Sequence, residues 1–378
     1  MSSSNILKVK VINMKKNIAY KYRIYPNKEQ KILISKTFGC VRFVFNKMLA
    51  DRITYYEKTG LSLNNTPAMY KKEYEWLKEV DSLALANAQM HLNEAYKNFF
   101  RDKKVGFPKF KSKKHSSNSY TTNMVNNNIK LLGNKIYLPK LKGIKIKKHR
   151  EIPEGYKIKS VTVSKTPTNK YFVSILCEYE IDEIENKGNN YIGLDYAMDG
   201  LYVASDKTKA DYPKYYRKLL YRLQREQRKL SKMTKGSNNY KKQKYKLAKI
   251  HEKISNCRKD FLHKTSYQIA NEVDGVCVED LNMQAMSQSL NFGKSVYDNG
   301  YGMFLNMLSY KLENQGKKLI KIDKFYPSSK KCSCCGCIHK ELKLSDRIYK
   351  CPQCGMMIDR DYNASLNILQ EGKRLAGM

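Results

Sequence analysis

Acidic side chains are scarce in this sequence of 378 residues. It contains 35 Asp and Glu against 72 Lys and Arg, which gives a formal net charge of +37. So many positive charges repel one another in a compact chain unless a polyanion neutralises them. Nucleic acid is the predicted partner, because each Lys or Arg placed on a phosphate releases a counterion. A base composition that favours Lys, Asn and Tyr codons explains part of the Lys and Tyr counts, but not the imbalance of charge.

Long apolar runs and secretion signals are also lacking. No stretch of about 18 apolar residues occurs, so the sequence predicts no membrane span. The start has no apolar segment with a small-residue cleavage site, so we expect a cytoplasmic protein. Met14 looks like a second start, which would make residues 1–13 an extension. Ten cysteines in such a compartment favour metal binding over disulfides.

Six of the ten cysteines crowd into the C-terminal part of the chain. Their spacing contains a C-x2-C-x15-C-x2-C pattern, which predicts one tetrahedral zinc in a structural site without an open position. Cys334 and Cys337 form an overlapping C-x2-C pair. The glycines Gly336 and Gly355, which each follow a second cysteine, favour the other set. The predicted zinc ligands are Cys332, Cys335, Cys351 and Cys354.

Three distant carboxylates stand at the ends of predicted elements. Asp195 and Glu279 each close a short apolar run that is typical of a buried strand, and Asp361 directly precedes a helix start. Each acid alone is more often a strand-end or capping residue. A buried carboxylate is costly unless it is compensated, and Mg²⁺ prefers such oxygens. Together the three predict a site for two Mg²⁺ ions, about 3.5–4 Å apart, that hydrolyses phosphodiesters.

Neighbouring charged residues compete for roles in this predicted site. Asp359 is an alternative third ligand, although Asp361 stands closer to the helix start. Asp280 should point to the opposite face of its strand, because side chains alternate along a strand. Arg347, between the two cysteine pairs, could grip the scissile phosphate or simply lie on the ribbon surface.

The order of patterns predicts an α+β protein with several domains. The first half should be a small β-barrel interrupted by a helical insertion. An α/β nuclease domain with an inserted zinc ribbon should follow. Its first hairpin, with an acid on the leading strand, resembles the opening of an RNase H-like sheet. The predicted boundaries are a first barrel strand at 1–26, helices at 27–103, the barrel at 104–185, the nuclease domain at 186–325, the ribbon at 326–357 and a last nuclease segment at 358–378.

Two segments combine many cations with few acids. The loop at 106–114 is basic and carries two rings, which is typical of a segment lying on a phosphate backbone. Residues 214–264 hold 18 Lys and Arg against three acids and show one apolar helical face. We interpret them as a basic helical hairpin that faces a duplex, with a merely solvated face as the alternative. The predicted backbone contacts are Lys109, Lys111, Lys113, Arg222, Arg225 and Lys229.

At this point the chain resembles the TnpB proteins of bacterial insertion sequences, which are related to compact CRISPR effectors with a single RuvC-type domain. Tyr196 and Ala197 depart from the small Leu-Gly-like pair that commonly follows the first acid. The matching motifs run almost end to end: YRIYP at 22–26, DS at 81–82, AYKNFF at 95–100, GFPKFKSK at 106–113, GLD at 193–195, VEDLN at 278–282, SSKKC at 328–332 and DRDYNA at 359–364.

The resemblance implies an RNA-guided endonuclease that cleaves double-stranded DNA beside a short flanking motif. It implies a RuvC-type nuclease domain, a wedge-like barrel and a guide RNA that the transposable element encodes. It further implies that the protein is a monomer in the RNA complex. The implied location is the bacterial cytoplasm, where nucleic acid would hold the protein at the nucleoid. Base pairing would supply specificity while the protein recognises the shape of the heteroduplex. The candidate residues for reading the flanking motif are Asn87, Thr121, Thr122 and Asn123.

Two other functions share parts of this pattern. Some relatives would be RNA-guided repressors that bind DNA without cutting it, but such proteins should have lost one of the three acids. A D-D-E transposase would share an RNase H-like core. The order Asp, Glu, Asp, with a ribbon before the last acid, disfavours that reading.

Overall fold

A computed structural model describes residues 13–114, 117–182, 188–289, 293–343 and 345–378. The chain divides into two compact units, residues 1–182 and 183–378. Residues 1–12 of the predicted extension and residues 183–187 lie outside the described residues. Among the helices of the described part, none is long and apolar enough to cross a membrane.

The first unit is built on an antiparallel sheet of seven strands in the order β2-β6-β7-β1-β5-β4-β3. Alternation buries one side chain of every two, as at Tyr20, Tyr22 and Ile24. Closure of this sheet into a barrel stays a prediction. The strands are β1 (Asn13–Tyr25), β2 (Asn118–Asn123), β3 (Lys130–Leu132), β4 (Lys135–Leu138), β5 (Leu141–Lys147), β6 (Lys157–Lys165) and β7 (Tyr171–Asp182).

Helices α1 (Lys28–Thr59), α2 (Pro67–Glu73) and α3 (Ser82–Arg101) lie between β1 and β2, with short 3-10 helices at Glu75–Glu79 and Lys103–Val105. Asn27, with Gln30 three residues later, predicts a capping box at the start of α1, and the structure confirms it. Asn27 accepts a hydrogen bond from the Gln30 backbone at 2.8 Å, and the Gln30 side chain accepts one from the Asn27 backbone at 2.9 Å. The helices and the sheet bury their apolar side chains in one common core.

The second unit centres on a sheet of four strands in the order β11-β10-β8-β9. Strands β8 (Tyr191–Tyr196), β10 (Gly275–Glu279) and β11 (Lys318–Ile322) run parallel, and β9 (Tyr202–Ala204) pairs antiparallel with β8. Val276 and Val278 pack into a core with helices α5 (Asn238–Glu272) and α8 (Tyr301–Glu313). The last helix covers the opposite face of the sheet.

The remaining elements of this unit are helical, apart from one short hairpin. Helix α4 (Tyr215–Ser231) packs against α5 as the predicted basic hairpin, and α5 continues beyond the predicted end at residue 264. Strands β12 (Ile348–Lys350) and β13 (Met357–Asp359) pair antiparallel in the ribbon. The others are α6 (Met283–Ser289), α7 (Gly293–Asn299) and α9 (Arg360–Leu375).

Candidate metal centres and nucleic-acid contacts

Strand pairing brings Asp195 and Glu279 to the same end of the second sheet. The parallel register places Val278 beside Leu194, so the next residue of each strand lies next to its counterpart. Val278 and Leu194 point into the core formed with α5 and α8. Because side chains alternate, Asp195 and Glu279 point to the other face, which α9 covers.

The last helix approaches this face closely because a glycine lies beneath it. A Cβ atom on Gly193 would meet the backbone carbonyl oxygen of Ser365 in α9. Gly372 makes a similar approach, since a Cβ there would meet the thiol of Cys277. The first turn of α9 therefore brings Asp361 towards the carboxylates of the two strands.

The electrostatics of Asp195 depend on the other two carboxylates. Burial raises the pKa of Asp195 well above its usual range, and the charges of Glu279 and Asp361 raise it further against the opposing effect of Arg360. Burial also raises the pKa of Glu279, while a hydrogen bond donated by Ser328 opposes that shift. A buried carboxylate whose charge is disfavoured by neighbouring acids is suited to a bound cation.

The Asp361 carboxylate lies close to two arginine side chains. The Arg360 guanidinium lies 3.1 Å from one carboxylate oxygen, and the predicted phosphate contact Arg347 lies 4.0 Å from the other. The Arg347 side chain is 72% exposed, so it can reach a ligand outside the protein.

The competing acids have other partners. Asp359 is the N-cap of α9 and accepts a hydrogen bond from the Tyr362 backbone at 2.9 Å. The Asp280 carboxylate is exposed and accepts from Lys321 at 2.8 Å. Both acids thus have structural partners. This favours Asp361 over Asp359, and Glu279 over Asp280, as the predicted metal ligands.

The four predicted cysteines come together in the ribbon. Within the described part of the chain they are the one group of His, Cys, Asp and Glu whose ligand atoms all lie within 4.8 Å of one another. The Sγ atoms of Cys332 and Cys354 are 3.7 Å apart, and those of Cys335 and Cys351 are 3.5 Å apart. Zinc–sulfur bonds of about 2.3 Å in a tetrahedron require sulfurs about 3.8 Å apart. The thiols therefore fit zinc.

Two matching turns build this cysteine set. Gly336 and Gly355 have φ of 77° and 74°, a conformation that favours glycine. Each donates its backbone N–H to the carbonyl of the first cysteine of its pair, Cys332 or Cys351. The overlapping Cys334 is exposed and outside the set.

Three polar residues that the sequence did not single out connect the ribbon to the carboxylates. Ser328, which donates to Glu279, offers its backbone carbonyl to the Asn367 side chain at 2.8 Å. Asn367 and Asn363 of α9 both donate to the carbonyl of Lys331, at 2.6 and 2.7 Å. The motifs SSKKC and DRDYNA contain Ser328 and Asn363, but the sequence alone did not show that they bond across 30 residues or more.

A buried tyrosine lies next to the same site. Tyr301, at the start of α8, is 1% exposed, and its hydroxyl has no hydrogen-bond partner among the described residues. Burial raises its pKa, and the charges of Asp195 and Glu279 raise it further. Its ring centroid is 4.7 Å from that of Tyr196. No sequence pattern indicated this residue.

The basic hairpin contains a buried acid that organises its cations. The Glu226 side chain is fully buried, and Gln243 donates to it at 2.8 Å. Lys246 lies 3.3 Å and Arg225 3.3 Å from its carboxylate, and Lys229 lies 3.9 Å away. The hydrogen bonds from Gln243 and Lys246 and the charges of Lys229 and Lys246 lower the pKa of Glu226 to about 2, although burial opposes them.

Two of the predicted contacts, Arg225 and Lys229, therefore take their orientation from Glu226. They also line a shallow groove of about 200 Å³ on α4. Arg222 is exposed on the same helix. The groove is lined by Tyr221, Arg225, Arg228, Lys229 and Lys232.

In the first unit, two predicted flanking-motif residues line one cavity of about 340 Å³. Asn87 donates to the Leu83 carbonyl at 2.9 Å, and Thr121 shares a 2.8 Å hydrogen bond with Thr162. Thr122 is 1% exposed, and within the described residues its hydroxyl has no partner. The backbone carbonyl of Asn123 accepts from Asn128.

The three lysines of the basic loop differ in exposure. Lys109 and Lys113 are exposed. Lys111 is half-buried, with its ammonium 3.8 Å from the centroid of the Phe45 ring, and burial lowers its pKa. The backbone of Lys111 exchanges two hydrogen bonds of 2.8 Å with Asn46. Lys111 thus fastens the loop to α1 and lines the same cavity as Asn87.

Three family models match the chain. One described as "Probable transposase" covers residues 174–290, one described as "Cas12f1-like, TNB domain" covers 301–368, and one described as "Helix-turn-helix domain" covers 14–60. In the structure, residues 14–60 form most of β1 and the single long helix α1.

Known proteins resemble the whole chain. The "Putative RNA-guided DNA endonuclease" of Streptomyces pristinaespiralis is 37% identical over 94% of this chain and 89% of its own length. The "Putative RNA-guided DNA endonuclease InsQ" of Escherichia coli K12 is 30% identical over 95% and 93%. The protein in the cryo-EM structure of a Cas12f1–sgRNA–target DNA complex shares the fold, with a TM-score of 0.58 and 14% identity over 94% of this chain and 98% of that one.

These comparisons define the class as the proteins that share the Cas12f-like α+β fold and carry a cysteine-rich TNB segment. Within that class, the chain belongs to the TnpB family.

Proposed function

We propose that this protein is an RNA-guided endonuclease that cleaves double-stranded DNA by metal-dependent hydrolysis. The observation that carries the proposal is the approach of three carboxylates, from β8, β10 and α9, to one end of the second sheet. They belong to Asp195, Glu279 and Asp361, and the charges of Glu279 and Asp361 raise the pKa of Asp195. Two relatives that resemble the chain over nearly its whole length are named as RNA-guided DNA endonucleases.

Carboxylate oxygens are the ligands that Mg²⁺ prefers, and the proposal assigns two such ions to these acids. Their oxygens are not all within 4.8 Å of one another, unlike the thiols of the ribbon. Two ions about 3.5–4 Å apart need ligands on both sides, and when bound they would activate water and stabilise the leaving oxygen. Asp195, Glu279 and Asp361 would hold them.

Other residues of the chain would orient the acids and the substrate. Ser328 holds one oxygen of Glu279 and leaves the other for a cation. Arg360, 3.1 Å from Asp361, would balance the negative charge of that acid. Arg347, exposed beside Asp361, would bind the scissile phosphate.

The other predicted regions would bind the RNA and the DNA. The second unit would be an RNase H-like, RuvC-type nuclease with the ribbon at 326–357 bound to the target nucleic acid through one structural zinc. The helical segment at 27–103 and the sheet at 104–185 would read the flanking motif through the cavity that Asn87 and Thr121 line. The exposed face of the α4–α5 hairpin, with Arg222, Arg225 and Lys229, would follow a phosphate backbone.

The test starts from the full-length protein purified from its host, with its co-purifying RNA sequenced. A discrete RNA from the 3′ end of its own gene is expected, and a plasmid matching its guide should be cut in Mg²⁺. Asp195→Ala, Glu279→Ala and Asp361→Ala should each abolish cutting and leave DNA binding intact. Heterogeneous RNA without a guide segment would instead indicate attraction by net charge alone.

Asp280→Ala is the matched control, because Asp280 adjoins Glu279 but bonds to Lys321 on the other face. It should cut at the unmutated rate. An Asp195→Ala protein that cuts at that rate would refute the site assignment. Guided binding without any cutting by the unmutated protein would support the repressor alternative, and strand transfer would support a D-D-E transposase.

A further inference from the structure

The C-terminal end of α3 carries a group of aromatic rings on its surface. The group consists of Tyr96, Phe99, Phe100 and Phe107, which we call the Phe100 cluster. Phe100 is 75% exposed and Phe107 is 44% exposed. Exposed apolar groups of this kind usually mark an interaction site, because water would otherwise contact them at a cost in free energy.

The rings are held rigidly by one another. The centroid of Phe107 lies 5.5 Å from that of Tyr96 and 5.4 Å from that of Phe99, both in edge-to-face contact. Phe100 is 5.3 Å from Phe99 and stacks at 6.3 Å on Tyr96. Edge-to-face packing is a favourable aromatic geometry, so the cluster presents fixed ring surfaces.

A tight turn makes this arrangement. After α3 the chain forms the 3-10 helix Lys103–Val105, and Gly106 follows with φ of 77°. That conformation reverses the chain and returns Phe107 onto the rings of α3. A turn of a few residues therefore brings Phe107 onto the rings at the end of α3.

The surroundings of the rings are cationic. Between Tyr96 and Phe110 the sequence has five basic residues and one acid, Asp102. Asp102 is occupied as a cap, since it accepts from the Lys104 backbone at 2.9 Å. The basic residues, all exposed, are Lys97, Arg101, Lys103, Lys104 and Lys109.

We propose that the Phe100 cluster is a stacking platform for unpaired bases of bound RNA, with the surrounding cations on its phosphates. Rings beside cations bind single strands in this way, because every base has a face that can stack. RNA is favoured over DNA as the occupant, since under the proposed function RNA is present before any DNA target and would cover the rings throughout. The inference rests on that proposed function and adds a subsite for an unpaired segment.

The test compares Phe100→Leu/Phe107→Leu with the unmutated full-length protein. Leucine keeps the apolar character and removes the ring faces. Affinity for a labelled oligouridylate should fall about tenfold or more, since stacking of one base contributes that much. Affinity for a fully paired RNA duplex should stay unchanged, because the phosphate contacts remain. Crosslinking of 4-thiouridine RNA should label the peptide that contains Phe100.

Tyr56→Leu is the matched control, because Tyr56 is 63% exposed near the end of α1 and has no ring contact with the cluster. It should bind both RNAs normally. Equal oligouridylate affinity in the double variant, or an equal loss on duplex, would overturn the platform. The platform would also be overturned if the RNA-free protein formed a dimer that the double substitution dissociates. The rings would then join two copies of the chain. Guided cleavage is measured separately and tests the proposed function. The oligouridylate affinity does not depend on that result, so the two proposals can fail independently.

Discussion

Asn367 of the last helix holds the backbone of Ser328 in place, four residues before the zinc ligand Cys332. Its side-chain amide donates to the Ser328 carbonyl at 2.8 Å, and Ser328 in turn donates its hydroxyl to Glu279. Asn367 is fully buried. A strand acid, the segment before the zinc ligands and the last helix are thus connected by one series of hydrogen bonds.

Asn367→Ala should therefore weaken both stability and cutting. The change leaves the carbonyl of Ser328 without its amide donor, and an unsatisfied buried group costs about 1–3 kcal/mol. The free energy of unfolding should fall by that amount in denaturant titrations. Gln370→Ala is the control, because Gln370 bonds to the ribbon from an exposed position at 3.3 Å. Equal stability of the two variants would refute the proposed importance of the buried contact.

The zinc ligands can be separated from their neighbours by single substitutions. Cys335→Ser should lose zinc and loosen the ribbon, because a structural site needs all four thiolates. Cys334→Ser should retain one zinc per chain, since Cys334 is exposed and outside the set. Atomic absorption measures the metal content. Loss of zinc from Cys334→Ser with retention in Cys335→Ser would reverse the ligand assignment.

Asp195→Asn should stabilise the magnesium-free protein at neutral pH. The pKa of Asp195 is raised in the folded state, so its stabilising contribution is present below its unfolded pKa of about 4 and is lost as pH rises through the folded pKa. The variant avoids that loss, and the difference should grow with pH. Thermal unfolding measures this difference in stability. No chelator is added, because a chelator would also remove zinc.

Added Mg²⁺ should stabilise the unmutated protein and not Asp195→Asn, because a ligand stabilises the state that binds it. Asp199→Asn is the control, since the Asp199 side chain is 79% exposed and contacts Lys214. Equal stabilisation of all three proteins by Mg²⁺ would place the ion elsewhere.

Glu226→Gln should destabilise the basic hairpin and weaken nucleic-acid binding. The pKa of Glu226 is lowered to about 2, so its stabilising contribution is present above the usual pKa and is lost as pH falls towards 2. The difference in unfolding midpoint should thus be present at pH 7 and shrink in acid. Asp260→Asn is the control, because Asp260 forms an exposed pair with Lys264. Unaltered stability at pH 7 would contradict the role of Glu226.

The features that the sequence predicted well are local ones. The cysteine spacing, the capping box of Asn27 and the acids at the ends of β8 and β10 depend on neighbours within a few residues. Their geometry follows from turn and strand periodicity, which a single sequence displays. The basic hairpin was also predictable, although not the full length of α5.

The features that were missed depend on distant residues. Strand β2 and helices α6 and α7 were not predicted, because short elements are stabilised mainly by packing. The start of helix α4 is one such feature: the helix was predicted, but its cap was not. Lys214 offers no side-chain cap, and Asp298 accepts from the Tyr216 backbone at 3.0 Å instead. No pattern near Lys214 could indicate a partner that lies 82 residues away from Tyr216.

Helix α9 follows every strand of the second sheet in the chain, so the ribosome releases it after them, and it packs on one face of that sheet. Until it emerges, Cys277 and Ile322 lack the apolar cover of Ile368. A nascent or prematurely terminated chain therefore lacks Asp361 as well as this cover. Under the proposed function, an unfinished copy of the chain would therefore be unable to cut DNA.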